Sequence, residues 1–173
     1  MQKILEQDAA RLNISSVRRY IFKSLTHAGV SSILLYRLQT WLTTRSVLLA
    51  KIISRLNLII NGIDFVIGSK IGPGLLINHP NGIVIGNKVI AGDNLSLMQG
   101  TTLGQVSFES STFTGTRNPI IGNNVSIGAL AVVLGGITVG DNCIIGACTL
   151  VLIDVPANHT AVGNPARFFI NSN

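Results

Sequence analysis

Charge is scarce in this chain. Only 12% of its 173 residues are Asp, Glu, Lys or Arg, about half the usual globular share. A fold with so few charges must hide its polar backbone in regular structure or bury surface in an oligomer. Aromatic residues are also few, at 5%, and there are two cysteines, Cys143 and Cys148. Their spacing is no metal signature, and the amino terminus does not read as a signal peptide. Both point to a reduced, cytoplasmic protein in which the cysteines are small core or turn residues. No apolar run reaches the roughly 18–20 residues of a membrane span, since Lys51 and Arg55 interrupt the longest candidate. No groove-reading motif appears and the basic residues are interleaved with Leu and Ile, which argues against a nucleic acid partner.

What is present is apolar and rich in glycine. Hydrophobic residues make up 47% and glycine 18 of 173, enough for one domain with a sizeable core and a small appendage. Glycine recurring at short intervals marks tight turns. The formal charge of +6 is unevenly placed. Nine of the 13 Lys and Arg precede Asn61, with only Glu6 and Asp8 as acids there. A basic front and a neutral rear suggest different jobs.

Residues 1–62 read as a helical region. Met1 to about Leu25 mixes apolar and basic residues, the pattern resumes over "SSILLYRLQTWL", and a third run, Ser46 to Ile60, stops at Asn61-Gly62. Two readings stay open for this part: a cap on the rear domain or on neighbouring subunits, or a basic, apolar surface in peripheral contact with the inner face of an anionic membrane.

From residue 63 the period changes to six. Phe65, Ile71, Ile77, Ile83, Val89, Leu95 and Thr101 form one column, and the beat returns as Ile121, Ile127, Val133, Val139, Ile145 and Val151. A partner column reads Gly62, Gly68, Gly74, Pro80, Gly86, Gly92, Met98, Gly104. Neither a 3.6-residue helix nor a two-faced strand gives this period. A hexapeptide repeat predicts a mainly β fold, a parallel β-helix in which each hexad is one short strand and one turn. Three faces make a triangular coil of about 18 residues, and the run predicts four to five coils over residues 63–155. Residues 105–119, "QVSFESSTFTGTRNP", break the beat and should protrude as a loop. Residues 156–173 contain Pro156 and Pro165 and should close the open end of the stack.

Within this frame "GLLINHPNGIVIG", "LSLMQGTTLG" and "VPANHTAVGNPAR" resemble three separated motifs of the hexapeptide-repeat acyltransferases, in order, over Asp64 to Arg167. The nearest branch is serine acetyltransferase-like, which includes relatives that acetylate sugars for polysaccharide assembly. The resemblance implies a left-handed β-helix, a homotrimer, and acetyl-CoA as co-substrate in a groove between coils, with no metal. It places His79 as the catalytic base and Asp64 as the acid that supports it. It puts the cofactor near Thr102, Gly104, Gly128, Ala129, Gly146, Ala147 and Arg167, and the acceptor near Asn78, Arg117 and Asn118.

The chemistry suits those residue types. An imidazole, with an ordinary pKa of about 6.5, can take the proton of an attacking alcohol near neutral pH. A carboxylate can hold its tautomer, and an arginine pairs well with phosphate. The backbone of Thr101 to Gly104 is a candidate source of oxyanion donors. Two departures bear on the acceptor. Serine acetyltransferases carry aspartate where this chain has Asn78, and Arg-His-Pro where it has Arg117-Asn118-Pro119. Loss of a carboxylate and a histidine should weaken recognition of an amino acid. The expectation is therefore an O-acetyltransferase acting on a sugar or polysaccharide-precursor hydroxyl, with serine O-acetyltransferase and a non-catalytic scaffold as alternatives.

Overall fold

The computed structural model describes residues 1–106 and 118–171. Four helices come first: α1 (Gln2–Ala10), α2 (Val17–Lys23), α3 (Ala28–Thr43) and α4 (Val47–Asn61). The first helical stretch is thus two helices. Asn13 turns left-handed at φ 55°, and Ser16 Oγ accepts from Arg19 N to start α2, an N-cap in the usual sense. His27 and Ser46 cap α3 and α4 in the same way. Gly62, at φ 68°, ends α4, a conformation that costs a residue without Cβ little. Among the described residues, no helix is long and apolar enough to cross a membrane.

Fifteen short strands follow among the described residues. One face of the coil stacks β1 (Asp64–Phe65), β4 (Val84–Ile85), β7 (Thr102–Gly104), β10 (Val132–Leu134) and β13 (Leu150–Val151). A second stacks β2 (Lys70–Ile71), β5 (Ile90–Ala91), β8 (Ile120–Ile121) and β11 (Thr138–Val139). The third stacks β3 (Leu76–Ile77), β6 (Ser96–Leu97), β9 (Ser126–Ile127), β12 (Ile144–Ile145) and β14 (His159–Val162), with β15 (Arg167–Ile170) antiparallel at its end. Every other pairing is parallel, so this is a parallel β-helix of five coils. The anticipated loop falls largely on residues 107–117, outside the described residues.

The core explains both the hexad and what the hexad concealed. Each hexad buries two residues. One column runs Phe65, Ile71, Ile77, then Ile85, Ala91, Leu97, Leu103; the other runs Ile63, Ser69, Leu75, then Ile83, Val89, Leu95, Thr101. Between Ile77 and Ile85 the spacing is eight. Asp64 pairs with Val84, twenty positions on, whereas Val84 pairs with Thr102, eighteen on. A beat counted straight through from Ile77 to Ile83 therefore steps from one buried column to the other across a two-residue insertion. That insertion lies in Asn78–Gly82, the turn that carries His79.

The corners are ordered by backbone demands. Where the second face turns into the third, Asn94, Asn124, Asn142 and Asn158 all have φ between 55 and 61°, a region asparagine tolerates better than most residues. Their amides form a ladder, Asn94 to Asn124 at 3.0 Å, Asn124 to Asn142 at 3.1 Å and Asn142 to Asn158 at 3.0 Å. Asparagine thus does at these turns what glycine does elsewhere, and adds a hydrogen bond per coil.

A β-helix leaves unpaired polar groups on its first coil, and α3 covers them. Tyr36 Oη donates to Ser69 O and accepts from Ile71 N. Gln39 Nε2 donates to Phe65 O. Arg37 donates to Ile71 O at 2.7 Å and Gly72 O at 2.8 Å, and closes a bidentate pair with Asp8 at 2.9 and 3.0 Å. Asp8 also accepts from Leu75 N. Tyr20 lies in the same layer; burial, then the charge of Asp8, push its hydroxyl well above the ordinary tyrosine range, against the pull of Arg37.

Gly29 fixes where α3 begins. A Cβ there would stand 1.8 Å from Ile77 O and 2.9 Å from Ile77 C, both backbone atoms. Gly29→Ala is expected to destabilise the protein by about 2 kcal/mol or more, as overpacking against backbone does, and to lower activity because Ile77 stands two residues before His79. Urea unfolding and a turnover assay on the variant check this; an unchanged midpoint would show that α3 is not clamped there.

Candidate active site

The turn from β3 to β4 carries Asn78 and His79, both exposed. The segment Asn78–Gly82 has neither the alternation nor the donors of a strand, because Pro80 lacks an N–H. Its residues line a cleft of about 280 Å³ with Thr26, His27 and Asn61 of the helical cap. No lysine, arginine or carboxylate lines this cleft among the described residues. The histidine therefore stands at a small, polar, uncharged cavity formed where the start of α3 and the end of α4 meet the lengthened turn.

Asp64 lies elsewhere. It faces outward from β1 and lines a separate cleft of about 430 Å³ with Lys51, Ser54 and Arg55 of α4. The end of α4 separates the two, Leu58 lining one cleft and Asn61 the other. No hydrogen bond joins Asp64 to His79 among the described residues. The two expected partners line different clefts and form no closed dyad.

The expected cofactor residues fall into two groups. Asn78 Nδ2 lies 3.7 Å from Met98 Sδ, one coil down. Below Met98 the same edge continues through Gly128 and Ala129 to Gly146 and Ala147. Val162 follows, its side chain over Gly146, and Arg167 pairs with Val162 in β15. These five residues thus lie on one line that descends from Asn78, beside His79, with a cation at its foot. Gly128 also has a structural cause, since a Cβ there would stand 2.6 Å from Ala147 N. Thr102 and Gly104 are on the first face: Thr102 follows Thr101, whose hydroxyl donates to Gly128 O at 3.3 Å, and Gly104 ends β7 at the other side. Thr102 N already donates to Ala131 O at 2.9 Å, so that amide is committed to the coil.

Asn118 is buried at the opposite edge of the first face, against the turn at Gly86. One chain therefore does not bring Asn118 to Asn78 and His79. Arg117 lies outside the described residues. Two residues of the His79 cleft escaped the sequence reading. His27 carries no motif; it stands directly before α3 and caps it. Asn61 marks a helix stop in the sequence, and nothing local signals that it is 3% exposed.

Comparison with known proteins is consistent with this geometry. Residues 118–152 match the bacterial transferase hexapeptide (six repeats) family. A serine acetyltransferase of Helicobacter pylori is 39% identical over 168 residues, covering 96% of this chain and 92% of its own. The crystal structure of Neisseria gonorrhoeae serine acetyltransferase superposes with a TM-score of 0.86 at 31% identity, over 99% of this chain and 65% of that one. The chain thus spans just under two thirds of that solved relative. The Neisseria enzyme in complex with serine gives a TM-score of 0.83 at 31% identity, over 96% and 68%. A serine acetyltransferase in complex with CoA gives 0.80 at 30%, over 96% and 68%. These matches overturn the sugar or polysaccharide acceptor expected from Asn78 and Asn118. The physical reason is that asparagine removes the charge of an aspartate, or the ring of a histidine, while keeping hydrogen-bonding atoms at those positions. The coil is the left-handed β-helix of hexapeptide-repeat acyltransferases, and the chain belongs to the serine acetyltransferase family.

Proposed function

We propose that the protein transfers the acetyl group of acetyl-CoA to the hydroxyl of serine, with His79 as general base. The observation that carries this is the placement of His79 at a cleft of about 280 Å³ lined by uncharged polar groups. That volume falls below the span of about 300–1,000 Å³ for drug-sized ligands, which suits a small zwitterion of no net charge. His79 accepts the proton of the serine hydroxyl as its oxygen forms a bond to the thioester carbonyl. Collapse of the tetrahedral intermediate breaks the carbon–sulfur bond, and the proton passes from His79 to the departing sulfur. Acetyl-CoA is the co-substrate, and the line from Met98 to Arg167 is its proposed track, with Arg167 available to a phosphate.

The proposed assembly is a homotrimer. His79 and Asn118 stand on opposite edges of one coil face, so packing such faces around a threefold axis would bring the edge of one chain to the opposite edge of the next. Incubation with acetyl-CoA and L-serine should yield O-acetylserine, identified by its proton spectrum. Hydrolysis of acetyl-CoA at a rate independent of serine would reject the reading.

A further inference from the structure

The amide of Asn61 is oriented by a chain of hydrogen bonds. Asn57 Nδ2 donates to Ser32 O at 2.9 Å, a carbonyl that can only accept. Asn57 must therefore present its oxygen to Asn61, whose Nδ2 donates to it at 2.9 Å and to Ser31 Oγ at 3.3 Å. This fixes the amide against flipping. The Asn61 oxygen is left as the free end of a side chain in a residue only 3% exposed, and Asn61 lines the His79 cleft. It has no donor among the described residues.

His27 supplies the complementary group. Its Nδ1 accepts from Val30 N at 3.4 Å as the cap of α3. A ring that accepts at Nδ1 carries its proton on Nε2, so the unused atom is a donor, and His27 lines the same cleft. Gly29, packed on the carbonyl of Ile77, holds the start of α3 against the strand that leads into His79. One cleft thus offers a base, a fixed acceptor and a fixed donor.

We infer that Asn61 and His27 recognise the two charged ends of the acceptor: Asn61 Oδ1 takes the α-ammonium and His27 Nε2–H the α-carboxylate, leaving the hydroxyl to His79. The inference rests on the reading of the protein as a serine acetyltransferase and assigns to that site specificity residues outside its repeat motifs. A bound zwitterion would complete the hydrogen bonding of both side chains.

The test compares serine with two analogues, serinamide, which lacks the carboxylate, and 3-hydroxypropionate, which lacks the ammonium. His27→Asn keeps an N-cap side chain on α3 and is too short to reach the cleft, so folding is preserved. It should raise KM for serine about tenfold or more, the size of a lost hydrogen bond to a charged group. KM for acetyl-CoA should not change, and the preference for serine over serinamide should shrink by the same factor. Asn61→Ala should instead erase the preference for serine over 3-hydroxypropionate. Unsubstituted protein that turns over serine while His27→Asn keeps both its serine KM and its preference over serinamide would overturn this inference alone. Unsubstituted protein with no serine turnover would overturn the function reading and this inference together.

Discussion

Replacing His79 by alanine is expected to lower kcat by about 10²–10⁴-fold, the range that general base catalysis supplies. The expectation follows from where the side chain stands. His79 is exposed in a turn two residues longer than its equivalents in the later coils, so it carries none of the core. The nearest buried residues, Ile77, Pro80 and Ile83, are untouched by the change. Stability should therefore stay within about 0.5 kcal/mol of the parent, as for surface substitutions generally. KM for acetyl-CoA should change little, because the proposed track begins one coil below. A large fall in kcat with an unchanged melting curve is the signature of lost chemistry. A small fall would mean that the hydroxyl loses its proton to another group.

The second large effect concerns folding. Asp8 and Arg37 form a bidentate pair with side chains 0% and 6% exposed, and each also holds backbone of the first coil. Asp8→Ala would leave the Arg37 cation buried without its counter-charge, and leave Leu75 N without its acceptor. Breaking a buried pair by removing one partner costs about 3–5 kcal/mol. For a chain of this size each kcal/mol lowers Tm by about 2–4 °C, so a fall of about 6–20 °C is expected in a thermal scan. Arg37→Met with Asp8→Ala should recover part of this, since no charge is then stranded, but not all, because Ile71 O and Gly72 O still lose their donor. A fall of under 2 °C in Asp8→Ala would show that water reaches the pair and that the cap is not held there.

The coil was legible because inward positions of a β-helix must be apolar and must recur. The same property hid one irregularity, the two-residue slip after Ile77. Ile83, Val89 and Leu95 continue the beat of Ile77 as well as Ile85 and Leu97 would, so a two-residue slip leaves no mark in hydrophobicity. The slip matters because it lengthens the turn of His79 and makes the cleft beside it. The asparagine corners were not legible as such, since a rule that reads turns from glycine passes over Asn124 and Asn142. His79 was legible through its motif. Its neighbours in space were not, because His27 and Asn61 reach the cleft through helix packing that no local pattern records. The acceptor was misjudged for a related reason. Against the motif Asn78 and Asn118 are losses, while the helical cap adds Thr26, His27 and Asn61 to the cleft of His79.

The most direct test of the central claim is CoA thiol release with L-serine as sole acceptor, measured side by side for the parent protein and His79→Ala. The expected result is serine-dependent release that saturates in the parent and falls by about 10²-fold or more in the variant. Serine-dependent release of equal rate in both would contradict the account.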